Sequence, residues 1–183
     1  MINLKINNVP VSVEPGTTIL QAAKSIGIKL PTLCYLKDIN EIGACRVCVV
    51  EVKGARNLVA SCVYPVNEGM EVFTNSERVL KARKTTIELL LSNHRKECLS
   101  CERNTNCELQ TLAYEYGCDA NKYAGAMCTE PQDSSTEYLI RDNTKCVLCR
   151  RCVAMCNKVQ KIGVLGASER GFDTHIGCAF DMN

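Results

Sequence analysis

Tryptophan is absent from the 183 residues, and aromatic side chains make up only 5% of the chain. Small domains bury little apolar surface, so a chain poor in large aromatics has to draw stability from disulfides or metals. Long hydrophobic runs are missing as well. Val47 to Val50 and Leu89 to Leu91 fall far short of the roughly 20 apolar residues that cross a bilayer. The opening Met1-Ile-Asn-Leu-Lys-Ile-Asn-Asn8 lacks the charged and apolar segments of a secretory signal, which predicts a soluble, cytoplasmic protein with no membrane contact. Charge of one sign is scarce too: the net +2, with both signs mixed along the chain, excludes the strong field that nucleic acid would require.

What the chain has in abundance is cysteine, 14 residues spread over almost its whole length. In a reducing cytosol thiols stay free or bind metal, so metal sites are expected rather than disulfides. The spread also favours several small units over one large domain.

Hydrophobic period sets out these units. Ile2, Leu4 and Ile6, the turn Asn7-Asn8, and Val9, Val11 and Val13 predict a hairpin. Thr17 or Thr18 caps a helix through Ile26, closed by Gly27, and strand, strand, helix is how a β-grasp domain begins. A β-rich run Val47 to Val52, a strand Leu58 to Ala60 and a strand Glu71 to Phe73 follow, separated by long loops. Thr74-x-x-Glu77 reads as a capping box for an amphipathic helix over 76–93, and a second helix spans Glu108 to Tyr116. A connector with little periodicity, containing Gly125 and Pro131, leads to two strand candidates, Ile162 to Leu165 and Gly171 to Ile176. The expected organisation is α+β: 1–76 a β-grasp domain, 77–118 a helical domain, 119–138 a connector, and 139–183 a last small domain.

Three constellations carry the metal chemistry. Cys34, Cys45, Cys48 and Cys62, with gaps of ten, two and thirteen residues, offer four thiolates for zinc or an iron-sulfur cluster. Zinc ribbons present two close pairs, whereas this set has one close pair and two outliers. His94, Cys98, Cys101 and Cys107 form the second set. On spacing alone they suit tetrahedral zinc, but an imidazole in place of one thiolate also makes a cluster less negative and raises its potential. The third, Cys146-x-x-Cys149-x-x-Cys152-x-x-x-Cys156, has the spacing that wraps a 4Fe-4S cube, with Asn157 where a Pro commonly follows. Zinc does not account for three cysteines at successive two-residue gaps. Of the remainder, Cys118 and Cys128 read as small buried hydrophobes, while Cys178 is a possible missing ligand.

The order of these sets resembles the N-terminal electron-transfer region of iron-iron hydrogenases and the large iron-sulfur subunit of respiratory complex I. The phrases that carry it are Gly43-Ala-Cys-Arg-Val-Cys-Val-Val-Glu51, Asn93-His-Arg-Lys-Glu-Cys-Leu-Ser-Cys101, Asn106-Cys-Glu-Leu-Gln110 and Arg141-Asp-x-x-Lys-Cys-Val-Leu-Cys149. Gly163 to Phe172, Thr174-His-Ile and Ala179-Phe180 look closest to hydrogenases of NAD(P)-linked, electron-bifurcating complexes. The resemblance implies that 1–76 is a 2Fe-2S ferredoxin-like β-grasp domain, 77–118 a helical His-Cys 4Fe-4S domain and 139–183 a partial bacterial-ferredoxin-like 4Fe-4S domain, with one 2Fe-2S cluster on Cys34, Cys45, Cys48 and Cys62, and a 4Fe-4S cluster on His94, Cys98, Cys101 and Cys107. A second 4Fe-4S cluster falls to Cys146, Cys149 and Cys152, with Cys156 serving an adjacent cluster. It also implies a flavin- and NAD(P)-binding iron-sulfur subunit, a small thioredoxin-like 2Fe-2S subunit and ferredoxin as partners. No glycine-rich dinucleotide loop is present, so nicotinamide and flavin are expected on another subunit.

The third motif is thus half of a two-cluster ferredoxin, and two accounts of the other half stand. These residues are the retained part of a longer hydrogenase subunit, or the chain is a short wiring subunit in which Cys156 or Cys178 completes the last cluster. An isolated half leaves a strand edge and a cluster face uncovered, which favours the first account. Formate dehydrogenase, a ferredoxin-linked transhydrogenase and complex I are the other enzyme settings, and a zinc-stabilised interaction module is the reading from a different class.

Overall fold

A computed structural model describes residues 1–129, 132–134 and 137–178. Pro131 of the connector and the phrase Ala179-Phe180 lie outside the described residues. The chain begins with β1 (Ile2–Ile6) and β2 (Val9–Val13), paired antiparallel from Ile2 opposite Val13 to Ile6 opposite Val9. Asn7 and Asn8 take φ of 49° and 68°, the left-handed pair that a two-residue hairpin turn demands. Helix α1 (Ile19–Ser25) follows. Thr18 accepts a hydrogen bond from the Gln21 N–H while Gln21 reaches back to the Thr18 N–H, a reciprocal cap.

Strands β3 (Val49–Val52), β4 (Val59–Ala60) and β5 (Glu71–Phe73) complete a five-stranded mixed sheet in the order β2-β1-β5-β3-β4. Only β1 and β5 run parallel. Alternate residues Leu4, Ile6, Val50 and Val72 point to one face, where Ile19, Leu20, Ala22 and Ala23 of α1 cover them. This is the expected β-grasp arrangement, and Cys48 and Cys62 belong to its core.

Helix α2 (Glu77–Ser92) starts where its period predicts, but its cap is Ser76. Thr74 is already engaged: its N–H donates to Asn7 Oδ1 at 2.8 Å and its hydroxyl accepts from Asn7 Nδ2 at 2.7 Å. Ser76 Oγ therefore takes the Val79 N–H and donates to Glu51 Oε2 at 2.6 Å. Helix α3 (Glu108–Glu115) packs on α2 through a second apolar cluster of Leu33, Val47, Ile87, Leu91, Leu109 and Leu112. Glu88 on α2, nearly fully buried, pairs with Lys122 at 2.8 Å and fastens the start of the connector.

The third region contains a helix that hydrophobic period did not reveal, α4 (Arg151–Ala154), which runs on into a π-helical turn Met155–Val159. Its two strands begin later than expected: β6 (Leu165–Ser168) and β7 (His175–Cys178) pair antiparallel. The Ile162 N–H donates to the Cys156 carbonyl at 3.1 Å and Gly163 turns with φ of 75°, so no ladder can start before Leu165. Gly171–Asp173, expected in a strand, is a 3-10 turn for the same kind of reason, with φ of 66° at Gly171. Among the described residues, no helix is long and apolar enough to cross a membrane.

Replacing Ser76 with Ala removes the α2 cap and is expected to lower global stability by about 1 kcal/mol, read by denaturant unfolding. Thr74→Ser, which keeps the hydroxyl that Asn7 uses, is expected to change it far less.

Candidate metal centre

The first cysteine set is assembled by a loop folded over one edge of the sheet. Cys34, Cys48 and Cys62 are each 1% exposed, and Cys45 is half-buried. The four sulfurs fall into two pairs. Cys48 Sγ and Cys62 Sγ share a hydrogen bond at 3.3 Å, and Cys34 and Cys45 share another. Within each pair one thiol is acidified by its partner's hydrogen bond, Cys45 to about 5 and Cys48 to about 6. The partners Cys34 and Cys62 are driven up by the same bonds and by burial. Arg46, between the pairs, takes φ of 58°. Left-handed residues without glycine are uncommon and turn successive N–H groups inward, as nests around anions and iron-sulfur sites do. Gly43 takes φ of 61°, and a Cβ there would meet Val63 Cγ2 at 3.1 Å, so the loop runs tight against the sheet.

The second set spans the end of α2 and the start of α3. His94 follows the helix, with its N–H on the Leu91 carbonyl, and its Nδ1 is buried without a hydrogen-bond partner. Burial first, then Lys145, pushes its imidazole below the ordinary range, leaving the neutral ring that a metal uses. Cys98 and Cys101 flank a single 3-10 turn, and Cys107 is the residue before the first turn of α3. An orphaned buried ring nitrogen, with three free thiols on the turn and helix start that follow it in the chain, is a donor set that fits a metal centre.

In the third set, Leu148 and Arg150 take φ of 52° and 58° between the cysteines, and the Leu148 N–H points to Cys146 Sγ at 3.4 Å. Cys149 and Cys152 lie within electrostatic reach of Cys146, and so does Cys128. Cys128, expected to be an inert buried thiol, is instead half-buried and anchored beside this site, its N–H donating to Asn93 Oδ1 at 2.6 Å. A cysteine in an aperiodic connector leaves no signal of its destination in the sequence. Cys156 stands apart, buried, with the backbone N–H groups of Leu165, Val164 and Gly163 aimed at its sulfur and holding its thiol below the usual range. Cys178 sits opposite Leu165 in the β6–β7 ladder, beside that turn. Cys118 is half-buried under α2, with its thiol toward the Lys84 carbonyl. Among the described residues no three of the His, Cys, Asp and Glu side chains already close on a point of single-ion size.

Three polar side chains bind the sets to one another. Asn40, 3% exposed, donates from Nδ2 to the Cys34 carbonyl at 2.8 Å and to the Cys149 carbonyl at 2.9 Å. Arg151 donates to the Tyr35 carbonyl at 3.1 Å and to Glu108 Oε2 at 2.8 Å, touching neighbours of Cys34 and of Cys107 from a position next to Cys152. Lys158 Nζ donates to the Ile39 carbonyl at 2.7 Å. The Arg95 N–H meets the Thr144 carbonyl at 2.9 Å, drawing the His94 turn to the third set.

Comparison with known proteins follows the same division. Residues 1–77 match the model for a 2Fe-2S iron-sulfur cluster binding domain, and residues 83–122 match the NADH-ubiquinone oxidoreductase-G iron-sulfur binding region. The solved NAD+-reducing NiFe-hydrogenase in its H2-reduced state contains a chain that superposes with a TM-score of 0.89 and 30% identity, over 97% of this chain and 74% of that one. This chain belongs to that iron-sulfur family. Within it, the NADP-reducing hydrogenase subunit HndD of Solidesulfovibrio fructosivorans is 48% identical over 188 residues, 100% of this chain and 32% of the relative. The NADH-ubiquinone oxidoreductase 75 kDa subunit of Reclinomonas americana is 37% identical over 96% of this chain and 26% of its own length. The chain therefore spans a third or less of these two curated family members.

Asn40→Ala leaves two buried carbonyls without their donor, a loss of about 1–3 kcal/mol. Hydrogen exchange is expected to quicken along residues 146–152 while β1 and β5 keep their protection; equal exchange in both proteins would remove Asn40 as the tie between the regions.

Proposed function

We propose that this chain is the wiring of a larger oxidoreductase, passing single electrons among iron-sulfur clusters. In this reading Cys34, Cys45, Cys48 and Cys62 hold a 2Fe-2S cluster, and His94, Cys98, Cys101 and Cys107 hold a 4Fe-4S cluster. Cys146, Cys149 and Cys152 hold a second one, and Cys156 is a ligand of an adjacent centre. The observation that carries it is the polar tie from Asn40 and Arg151, which fastens all three cysteine sets into one array. A structural zinc site needs no such neighbour, whereas one-electron carriers work only at close range.

The paired thiols of the first set support two-metal ligation, one pair to each iron, over a single zinc. Bound clusters would supply the redox chemistry. The chain's residues hold them in partly buried loops, aim backbone N–H groups at the sulfurs and exclude water, which together set each potential. The wider setting we infer is an electron-bifurcating, NAD(P)-linked iron-iron hydrogenase in the cytoplasm. Its flavin-bearing NAD(P) subunit, a small thioredoxin-like 2Fe-2S subunit and ferredoxin would be the electron partners.

Metal and acid-labile sulfide analysis of the anaerobically purified protein, with EPR of the reduced state, tests the reading: 2Fe-2S and 4Fe-4S signals are expected, and zinc without sulfide would refute it. His94→Cys is expected to retain its cluster with a lower midpoint potential, because a thiolate adds negative charge where the imidazole was neutral; an unmoved redox titration would remove His94 from the ligand set. Native mass spectrometry of the complex, giving chain mass and inorganic content together, separates a longer hydrogen-activating subunit from a dedicated wiring subunit.

A further inference from the structure

Arg83 is the cation that the fold treats differently from the rest. It lies on α2, 3% exposed, and no carboxylate among the described residues lies within ion-pair distance of it. Its two hydrogen-bond partners are neutral: Nη2 donates to the Val49 carbonyl at 2.8 Å and Nη1 to the Tyr116 hydroxyl at 3.1 Å. Its Nε is buried with no partner. Of the acids nearby, Glu88 pairs with Lys122 and Glu108 with Arg151, while Glu115, on the rim of the same cavity, is exposed to water and makes no ion pair with Arg83. Taking a guanidinium out of water without an anion costs several kcal/mol, so some negative charge has to offset it.

The position of Arg83 indicates where that charge lies. Val49 directly follows Cys48, and the lining of a cavity of about 470 Å³ includes Arg83, Tyr116, Leu112, Cys107 and the carboxylates of Glu108 and Glu115. Cys45 and Cys107 pack against the same apolar cluster of Val47, Ile87 and Leu112. The guanidinium thus sits between the first and second cysteine sets, in surroundings of low dielectric that strengthen charge interactions. A thiolate-ligated cluster is negative, and each electron it accepts makes it more so.

We infer that Arg83 is the buried counter-charge of these two centres, favouring their reduced states and so raising both midpoint potentials. The inference rests on the iron-sulfur reading of the two sites. In the structure Arg83 also ties α2 to β3 and α3, so the test has to separate charge from tether.

Arg83→Gln removes the charge and keeps a shorter, planar donor group, while Arg83→Lys keeps the charge and most of the reach but loses the planar fork. EPR-monitored redox titration of the anaerobically purified, cluster-loaded protein reads all centres at once, with the third site as internal control. The expected result is a downward shift of the 2Fe-2S and His-Cys potentials in Arg83→Gln, larger than at the third site, with Arg83→Lys close to wild type. Should Arg83→Gln fail to load clusters, Arg83→Met, close to Lys in reach and without charge, is titrated in its place: a downward shift there against Arg83→Lys supports the inference, and unchanged potentials overturn it. Unchanged potentials in a loaded Arg83→Gln, or failure of both Arg83→Gln and Arg83→Lys to load, would overturn the inference and leave Arg83 a tether. Absence of cluster signals from the wild type would instead refute the iron-sulfur reading itself.

Discussion

The structure depends on one buried amide. Asn40 Nδ2 lies between the carbonyls of Cys34 and Cys149, residues 115 positions apart. A carbonyl next to a cysteine is unusually informative about that cysteine's position, because only one peptide unit separates it from the sulfur. Fixing both carbonyls on one short side chain therefore fixes two thiol-bearing loops relative to each other. Arg151 extends the tie to the second set through Glu108, the neighbour of Cys107. Apolar packing builds the sheet and gathers Cys45, Cys107 and Val147 on the cluster between α2 and α3, and directional polar contacts then fix how the three cysteine sets register.

The loops themselves are shaped by the same concern. Non-glycine residues rarely adopt positive φ, yet Arg46, Thr105, Leu148 and Arg150 all do so beside or between the cysteines. Each such residue is strained by about 1–2 kcal/mol, and at Leu148 the turn brings the backbone N–H to face the Cys146 sulfur. The sheet and helices, with their satisfied ladders and the capped ends of α1 and α2, hold these strained loops in place. Thiol acidification within the first set follows from this closeness: in each pair the hydrogen bond from one thiol favours the ionised form of the other, against the effect of burial.

Family membership agrees with this reading while leaving the whole protein's activity to the proposal. The curated relatives are hydrogenase and NADH-dehydrogenase subunits several times longer than this chain. What they share with it is the portion in which the three sets lie. The third region leaves the apolar side chains of Leu139, Ile140, Ile162, Val164 and Phe172 exposed.

Local chemistry was legible in the sequence wherever it depends on near neighbours. The Asn7-Asn8 turn, the Thr18 cap, the strand periods and the Cys-x-x-Cys spacings are such features, because turn geometry, helix caps and metal-ligand reach act over a few residues. The α+β organisation followed from them. Where distant residues compete for one group, tertiary structure decided. Asn7 claimed Thr74 and moved the α2 cap to Ser76; the backbone turn around Cys156 delayed β6; and Cys128 came to rest beside Cys146 from an aperiodic connector. The bridging role of Asn40 and the unpaired burial of Arg83 depend on contacts across many tens of residues, and nothing in residue type or spacing encodes a partner that far away.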